Sequence, residues 1–315
     1  MYLLHDIGVT QVTIPLPFRL NHVNCFIAEG AKGWTIIDTG LNNEVSREIW
    51  KPYIDKHEIS TIILTHLHPD HYGYGGTLQR LTNADVWMTN VDDHAGTTFW
   101  EPESLAKVKQ HYDTCGIPEQ GADELTSDEG SFNPRVKPYP QVSRHLEEGE
   151  KILIGKNEYE VIFTPGHSDG LICLYNKENG ILFSTDHILP KITPNISYWF
   201  RGIPNPLEAF FHSLKKIELL NAEYVIPSHG KPFQNANKRI RELISHHHDR
   251  LNEVYEYIKS PATIYQVSKQ LFKKPLTTHE MRFALGETIA HLEYLYFNNQ
   301  CEKSLENNTW YYHAK

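Results

Sequence analysis

The chain has 315 residues, 40% of them hydrophobic, and a formal net charge of -9 at pH 7. That is enough apolar material for one large core plus a smaller unit, while the acidic balance argues against a dedicated nucleic-acid binder, which carries a basic face. No apolar run approaches the roughly 20 residues that span a bilayer, the start MYLLHDIGVT lacks the form of a secretory leader, and Cys25, Cys115, Cys173 and Cys301 show no CxxC spacing, so a reduced, cytoplasmic protein with no membrane partner is expected.

In chain order, QVTIPLP, VNCFIAEG, GWTIIDTG, STIILTH and DVWMTN are short runs rich in β-branched and aromatic residues and predict strands. Helical patterns over 43–57 and 74–82 interrupt them. Residues 91–146 break the rhythm: the segment is acidic, rich in Pro and Gly and poor in strand signals, and reads as an insertion serving as a lid or substrate wall. KILIG, YEVIFTPGH, LICLY, ILFST and YVIPSH predict further strands, with Asn179-Gly180 as a hairpin turn. A helix over 207–220 opens at Pro206 and repeats apolar residues at Leu207, Phe210, Phe211, Leu214, Ile217 and Leu220. The mixture predicts an α+β sandwich covered by helices over residues 1–235.

From Asn237 the pattern changes. Ile240, Leu243, Ile244, Leu251, Val254, Tyr255 and Ile258 form one face of a long helix; TIYQVSKQLF follows as a second, and a third runs from Thr277 to about Phe297, with capping-box spacing between Thr277 and Glu280. A hairpin around Asn307-Asn308 closes the tail. Three helices and a hairpin over 236–315 describe a small winged-helix domain; a homodimerisation appendage explains them equally well. His246, His247 and His248 fan around the long helix and cannot share one ligand.

The chemistry concentrates in THLHPDH, residues 65–71, which packs His66, His68, Asp70 and His71 together. Imidazoles and carboxylates are the ligands of zinc, iron and manganese, and clustering them is costly unless a cation offsets their charge and desolvation. In an extended segment His66, His68 and Asp70 would form one row. Seven residues cannot wrap a metal alone, and four strand-like runs end in suitable side chains: IILT at His66, VIFTPG at His167, ILFST at Asp186 and VIPS at His229. Such ends converge on one edge of a sandwich.

These motifs, with IIDTG ending the early strand that carries Asp38, resemble in order the five motifs of the metallo-β-lactamase superfamily, over about residues 10–235. The tail resembles the winged-helix domain of the β-lactamase-like-protein-2 branch and related bacterial hydrolases. The resemblance implies an αββα sandwich in which His66, His68 and His167 hold one divalent metal, Asp70, His71 and His229 hold a second, and Asp186 bridges them. Asp38 would orient the ligand loop from behind. Zinc is the first expectation, with manganese or iron as alternatives. A hydroxide bridging the metals would attack the substrate, and Asp70 or Asp186 would take its proton.

Asp186 stands where true β-lactamases resembling this chain carry Cys or Ser, which points away from antibiotic hydrolysis. Tyr74 in YGYGG departs from the GG pair of glyoxalase II. The leading expectation is a small-molecule ester, thioester or lactone hydrolase; the alternative is a metal-dependent phosphodiesterase or endoribonuclease with a nucleic-acid partner. Substrate contacts are expected at Lys191, Tyr198 and Arg201, in the aromatic stretch after Asp186.

Overall fold

Alternating burial builds the centre of the molecule. Phe26, Ile37, Ile63 and Phe183 face one central apolar layer, whereas their neighbours face outward, Ile27, Ile36 and Ile62 into a second layer and Leu182 into a third, as the period of two along a strand requires. The computed structural model describes residues 4–118 and 120–315.

One sheet contains β1 (Val9–Pro15), β2 (His22–Gly30), β3 (Gly33–Ile37), β4 (Ile59–Ile63), β5 (Asp85–Met88) and β6 (Val142–His145), in that spatial order. Its first pairings are antiparallel and those from β3 to β6 parallel. The second sheet runs, in reverse spatial order, from β7 (Lys151–Ile154) through β8 (Asn157–Phe163), β9 (Ile172–Asn176), β10 (Ile181–Thr185) and β11 (Tyr224–Pro227) to β12 (Phe233–Gln234). Only β10 and β11 are parallel within it. The sheets bury a shared layer that includes Phe26, Ile63, Val161, Leu174 and Phe183.

Helices cover both outer faces. On the first sheet lie α1 (Glu44–Ile54), the single turn α2 (Pro69–Tyr72) and α3 (Gly75–Thr82), with Trp50 and Leu78 in their core. The stretch expected to be an irregular insertion is instead mostly helical: α4 (Asn90–Thr98), α5 (Pro102–Asp113) and α6 (Gly121–Gly130), then a 3-10 turn at Asn133–Arg135 and strand β6. Its prolines and glycines punctuate helix ends; Pro102 sits at the start of α5, and Thr89 caps α4 by accepting from the Asp92 N–H. Glu119 lies outside the described residues.

The second sheet is covered by α7 (Pro206–Glu218), α8 (Ala236–Tyr257), α9 (Ile264–Leu271) and α10 (Thr278–Phe297). A small sheet, β13 (Ala262–Thr263), β14 (Cys301–Glu306) and β15 (Thr309–Ala314), closes the tail in the order β13-β15-β14. Capping boxes start both α9, with Thr263 and Gln266, and α10, with Thr277 and Glu280. Residues after 235 share one continuous core with the rest: Phe210 and Leu214 of α7, Val108 and Tyr112 of α5, and Leu243, Leu285 and Leu292 pack together. Among the described residues no helix is long and apolar enough to cross a membrane.

Candidate metal centre

Five strands deliver side chains to one rim of the sandwich. Asp38 follows β3, His66 and His68 follow β4, His167 follows β8, Asp186 follows β10 and His229 follows β11. Asp70 and His71 belong to α2, which opens with Pro69 at its first position. The extended row expected for 66, 68 and 70 therefore ends at His68, because proline fixes its own φ near the helical value and starts a turn. Asp186 is aimed by strain: Thr185 before it has φ 47 at a register break in β10, and donates from Oγ1 to the Ile172 carbonyl at 2.9 Å. A β-branched residue in the left-handed region is held there only by surrounding contacts.

The ligand atoms converge. His68 Nδ1 lies 3.1 Å from His66 Nε2 and 2.8 Å from His167 Nε2. Asp186 Oδ2 is 3.2 Å from His229 Nε2, 3.4 Å from His167 Nε2 and 3.6 Å from His71 Nε2. Asp70 Oδ2 is 3.5 Å from His229 Nε2 and 3.6 Å from His71 Nε2. Three overlapping groups, His66-His68-His167, His66-His71-Asp186 and Asp70-His71-His229, each keep their ligand atoms within 4.8 Å of one another.

The outer partners assign the imidazole tautomers. His71 Nδ1 donates to Asp38 Oδ2 at 2.8 Å, His167 Nδ1 to the Asn195 carbonyl at 2.7 Å, and His229 Nδ1 to the His22 carbonyl at 2.6 Å. Asp38 also accepts from the Thr65 N–H and hydroxyl, leaving the Thr65 oxygen to accept from His66 Nδ1 at 3.1 Å. In each case the Nε2 lone pair is turned into the rim. His71 Nε2, His229 Nε2 and Asp186 Oδ1 are buried without a hydrogen-bond partner, a costly arrangement that a cation among them resolves. The residues fit a pair of divalent ions.

Electrostatics divide the cluster. Burial, reinforced by neighbouring imidazoles, holds His66 and His68 well below the usual histidine pKa, which favours the neutral lone-pair form. Burial also opposes charge on His71, but Asp70, Asp186 and Asp38 overcome it and hold His71 well above the usual value. Likewise burial would raise Asp186, yet His229 and His71 keep it well below the ordinary carboxylate range. The carboxylates thus demand positive charge at the place where the lone pairs meet.

One residue at the site has no signal in the sequence. Asp92, fully buried, accepts from the Leu67 N–H at 2.8 Å, the Gly170 N–H at 2.8 Å and the Ser168 hydroxyl at 2.6 Å, clamping the two loops that carry His66, His68 and His167. Burial pushes its carboxyl up to about 6 against these donors. His187, beside Asp186, packs edge-on against Phe210 at 5.2 Å, away from the rim.

The expected substrate contacts lie elsewhere. Arg201 bonds Glu129 at 2.6 Å and the Phe99 carbonyl at 2.7 Å, tying α6 and the end of α4 to the loop after β10. Tyr198 packs against Phe200, and its N–H donates to the Gly286 carbonyl at 3.0 Å. Lys191 is exposed. The cavity above the ligands is lined from that stretch by Ile192, Thr193, Pro194, Asn195 and Trp199 instead. Of the charges in that stretch, Arg201 is taken up by Glu129 and Lys191 faces solvent.

Residues 19–229 match the family described as Metallo-beta-lactamase superfamily. The chain belongs to that superfamily. Residues 251–315 match a second description, Metallo-beta-lactamase-like, C-terminal domain. Members of the superfamily typically bind divalent metals, and the chain is a hydrolase of this superfamily with a candidate metal-binding His/Asp cluster. It is similar to a metallo-beta-lactamase family protein from Thermus thermophilus, with a TM-score of 0.86 at 30% identity over 98% of this chain and 99% of that one. It is also 24% identical to the Bacillus subtilis (strain 168) protein named "Probable metallo-hydrolase YqjP", covering 96% of this chain and 97% of that one. A third relative, the atrochrysone carboxyl ACP thioesterase of Aspergillus fumigatus, is 22% identical over 76% of this chain and 61% of its own length.

Proposed function

We propose that this superfamily member is a two-metal hydrolase of small-molecule esters, thioesters or lactones. The observation that carries the reading is the cavity over the ligand residues. It measures about 640 Å³, within the roughly 300–1,000 Å³ of small-molecule sites. His68, Asp70, His167 and Asp186 reach into it, while Phe18, Trp100, Phe132, Trp199 and Phe283 form an apolar wall. Such a lining suits an acyl chain better than a polynucleotide, and the thioesterase relative has the same chemistry in its name.

Bound at these residues, a divalent pair, zinc foremost with manganese or iron as alternatives, supplies carbonyl polarisation and a water acidified towards neutral pH. Asp38, Asn195 and His22 hold the imidazoles in register from behind. Asp70, its side chain 18% exposed, is placed to accept a proton and pass it to water, whereas Asp186 is buried. Trp199, whose Nε1 donates to the His167 carbonyl at 3.3 Å, shields the rim beside His68.

We read residues 236–315 as a winged-helix module by connectivity, three helices interleaved with a β13-β15-β14 sheet. Its third helix, which such modules offer to nucleic acid, is α10. Here α10 buries Leu285, Ile289, Leu292 and Leu295 in the shared core and turns His279, Arg282 and Phe283 into the cavity. The module thus acts as a wall of the active site, which weakens the phosphodiesterase or endoribonuclease alternative. The four buried, unpaired cysteines fit a reducing, cytoplasmic setting.

The test is to load the protein separately with zinc, manganese and iron and follow cleavage of a short acyl thioester, a lactone and a single-stranded RNA, with a chelator control. Metal-dependent cleavage of the carbonyl substrates, abolished in His66→Ala and Asp186→Ala proteins that retain their circular dichroism, is the expected result. Cleavage of RNA alone, or full activity in either variant, overturns the reading.

A further inference from the structure

The cavity wall carries three guanidinium groups, from Arg19, Arg135 and Arg282, and they are not equivalent. Arg282 bonds Asp128 at 2.8 Å and faces Glu129 at 3.7 Å. Arg19 lies 3.4 Å from Glu280, which also accepts from the Thr277 N–H at 3.0 Å. Asp128 is further contacted by His279 Nδ1 at 3.3 Å. Every acid on the wall outside the metal cluster therefore has its counter-charge. Arg135 has no carboxylate partner among the described residues.

Its position is nevertheless built. Arg135 ends the 3-10 turn, and its carbonyl accepts from the Asn42 N–H at 2.8 Å. The guanidinium lies over Phe132 at 4.9 Å and Phe18 at 5.6 Å. The same two rings and His279 form a triangular cluster, with centroids 5.8 Å apart between the phenyl rings and 5.1 and 5.4 Å from each to the imidazole. A guanidinium held over aromatic rings, with no carboxylate partner among the described residues, keeps N–H groups available, and a guanidinium fork can grip a planar oxyanion with two parallel hydrogen bonds.

We propose that Arg135 is an anion-recognition residue of the cavity, and that the substrate is an acyl ester or thioester carrying a carboxylate or phosphate group remote from its scissile bond. This rests on the small-molecule acyl reading above. The metal cluster would take the carbonyl, the aromatic wall the chain, and Arg135 the oxyanion, so that a substrate is measured from both ends. Specificity of this kind follows because an anionic ligand gains charge-assisted hydrogen bonds from the guanidinium that a neutral ligand cannot make.

The experiment uses non-hydrolysable thioether analogues of one chain length ending in a carboxylate, a phosphate or a methyl group, titrated calorimetrically into the zinc-loaded protein. One charged analogue is expected to bind about tenfold more tightly than the methyl analogue. That advantage should vanish in Arg135→Gln and survive in part in Arg135→Lys. Because the quantity read is a ratio within each protein, a lower folded fraction in a variant does not imitate the effect. Which charged arm wins identifies the oxyanion. Equal affinities, no binding by any analogue, or an advantage that persists in Arg135→Gln would overturn the proposal. Failure of the hydrolase reading shows separately, as absence of zinc-dependent turnover of the parent thioesters.

Discussion

His247 Nδ1 donates to His291 Nε2 across 3.2 Å between α8 and α10, and His291 Nδ1 donates to the Glu287 carbonyl at 2.7 Å. Burial, with the neighbouring imidazole and other nearby positive groups, lowers His247 to about 2 and His291 to about 4. Below about pH 6.5 the unfolded chain protonates both sites while the folded chain does not, so stability falls as pH drops, by about 1.4 kcal/mol per unit for each group. The contribution of His291 ceases near pH 4, where the folded form also takes its proton. Denaturant melts between pH 7.5 and 5 should show this slope, and His247→Leu should flatten it even if the variant is less stable at neutral pH. A slope unchanged by the substitution would refute the assignment. At this scale the gathering of His66, His68, Asp70, His71, His167, Asp186 and His229 was legible because His66, His167, Asp186 and His229 each follow a strand-like run and His68, Asp70 and His71 crowd beside His66 in one short segment. Asp92 was not, since a lone acid in a helix start reads as capping chemistry and its three donors come from distant loops.

Among the elements, α10 has the longest reach. Asn195, whose carbonyl orients His167, is itself held by α10, donating from Nδ2 to Glu287 Oε2 at 3.2 Å and to the Phe283 carbonyl at 3.4 Å. Glu287 is therefore a positioning residue for a ligand it does not touch. Partners of metal-bound histidines change metal affinity by roughly 10–100-fold when removed; Glu287→Ala, one step further out, should weaken zinc binding about tenfold in competition with a chromophoric chelator. Glu287→Gln, which keeps an acceptor, should restore most of it. Unchanged affinity in the alanine variant would break the chain of contacts. The helices α4 to α6 illustrate why the insertion was hard to read: Pro102, Gly116, Gly121 and Gly130 mark boundaries of short helices, and short helices carry too few turns for a clear period. Strands β6, β12 and β13 were invisible for a similar reason, having only two to four residues.

For the whole molecule, the division expected near residue 235 follows the chain more closely than it follows the packing. Phe210, Phe211, Leu214 and Ile217 of α7 belong to the same core as Leu243, Leu285 and Leu292. A chain ending at 235 would expose that apolar layer, so it is expected to be recovered insoluble or to melt without a cooperative transition, monitored by soluble yield and calorimetry. A soluble fragment with a sharp transition would show two separable units. The sandwich itself was readable because its strands are runs of β-branched and aromatic residues bounded by Gly, Pro and Asn; the sharing of the core was not, because sequence patterns report which face is apolar and not what covers it.

The cavity wall joins Phe18 of the β1–β2 loop, Phe132 of the insertion and His279 of α10 in a single three-ring cluster. All seven candidate ligand residues lie at or before residue 229, yet the cavity wall closes only with residues of α10. Substitutions confined to the C-terminal helices can therefore reshape what the cavity accepts while leaving every candidate ligand in place.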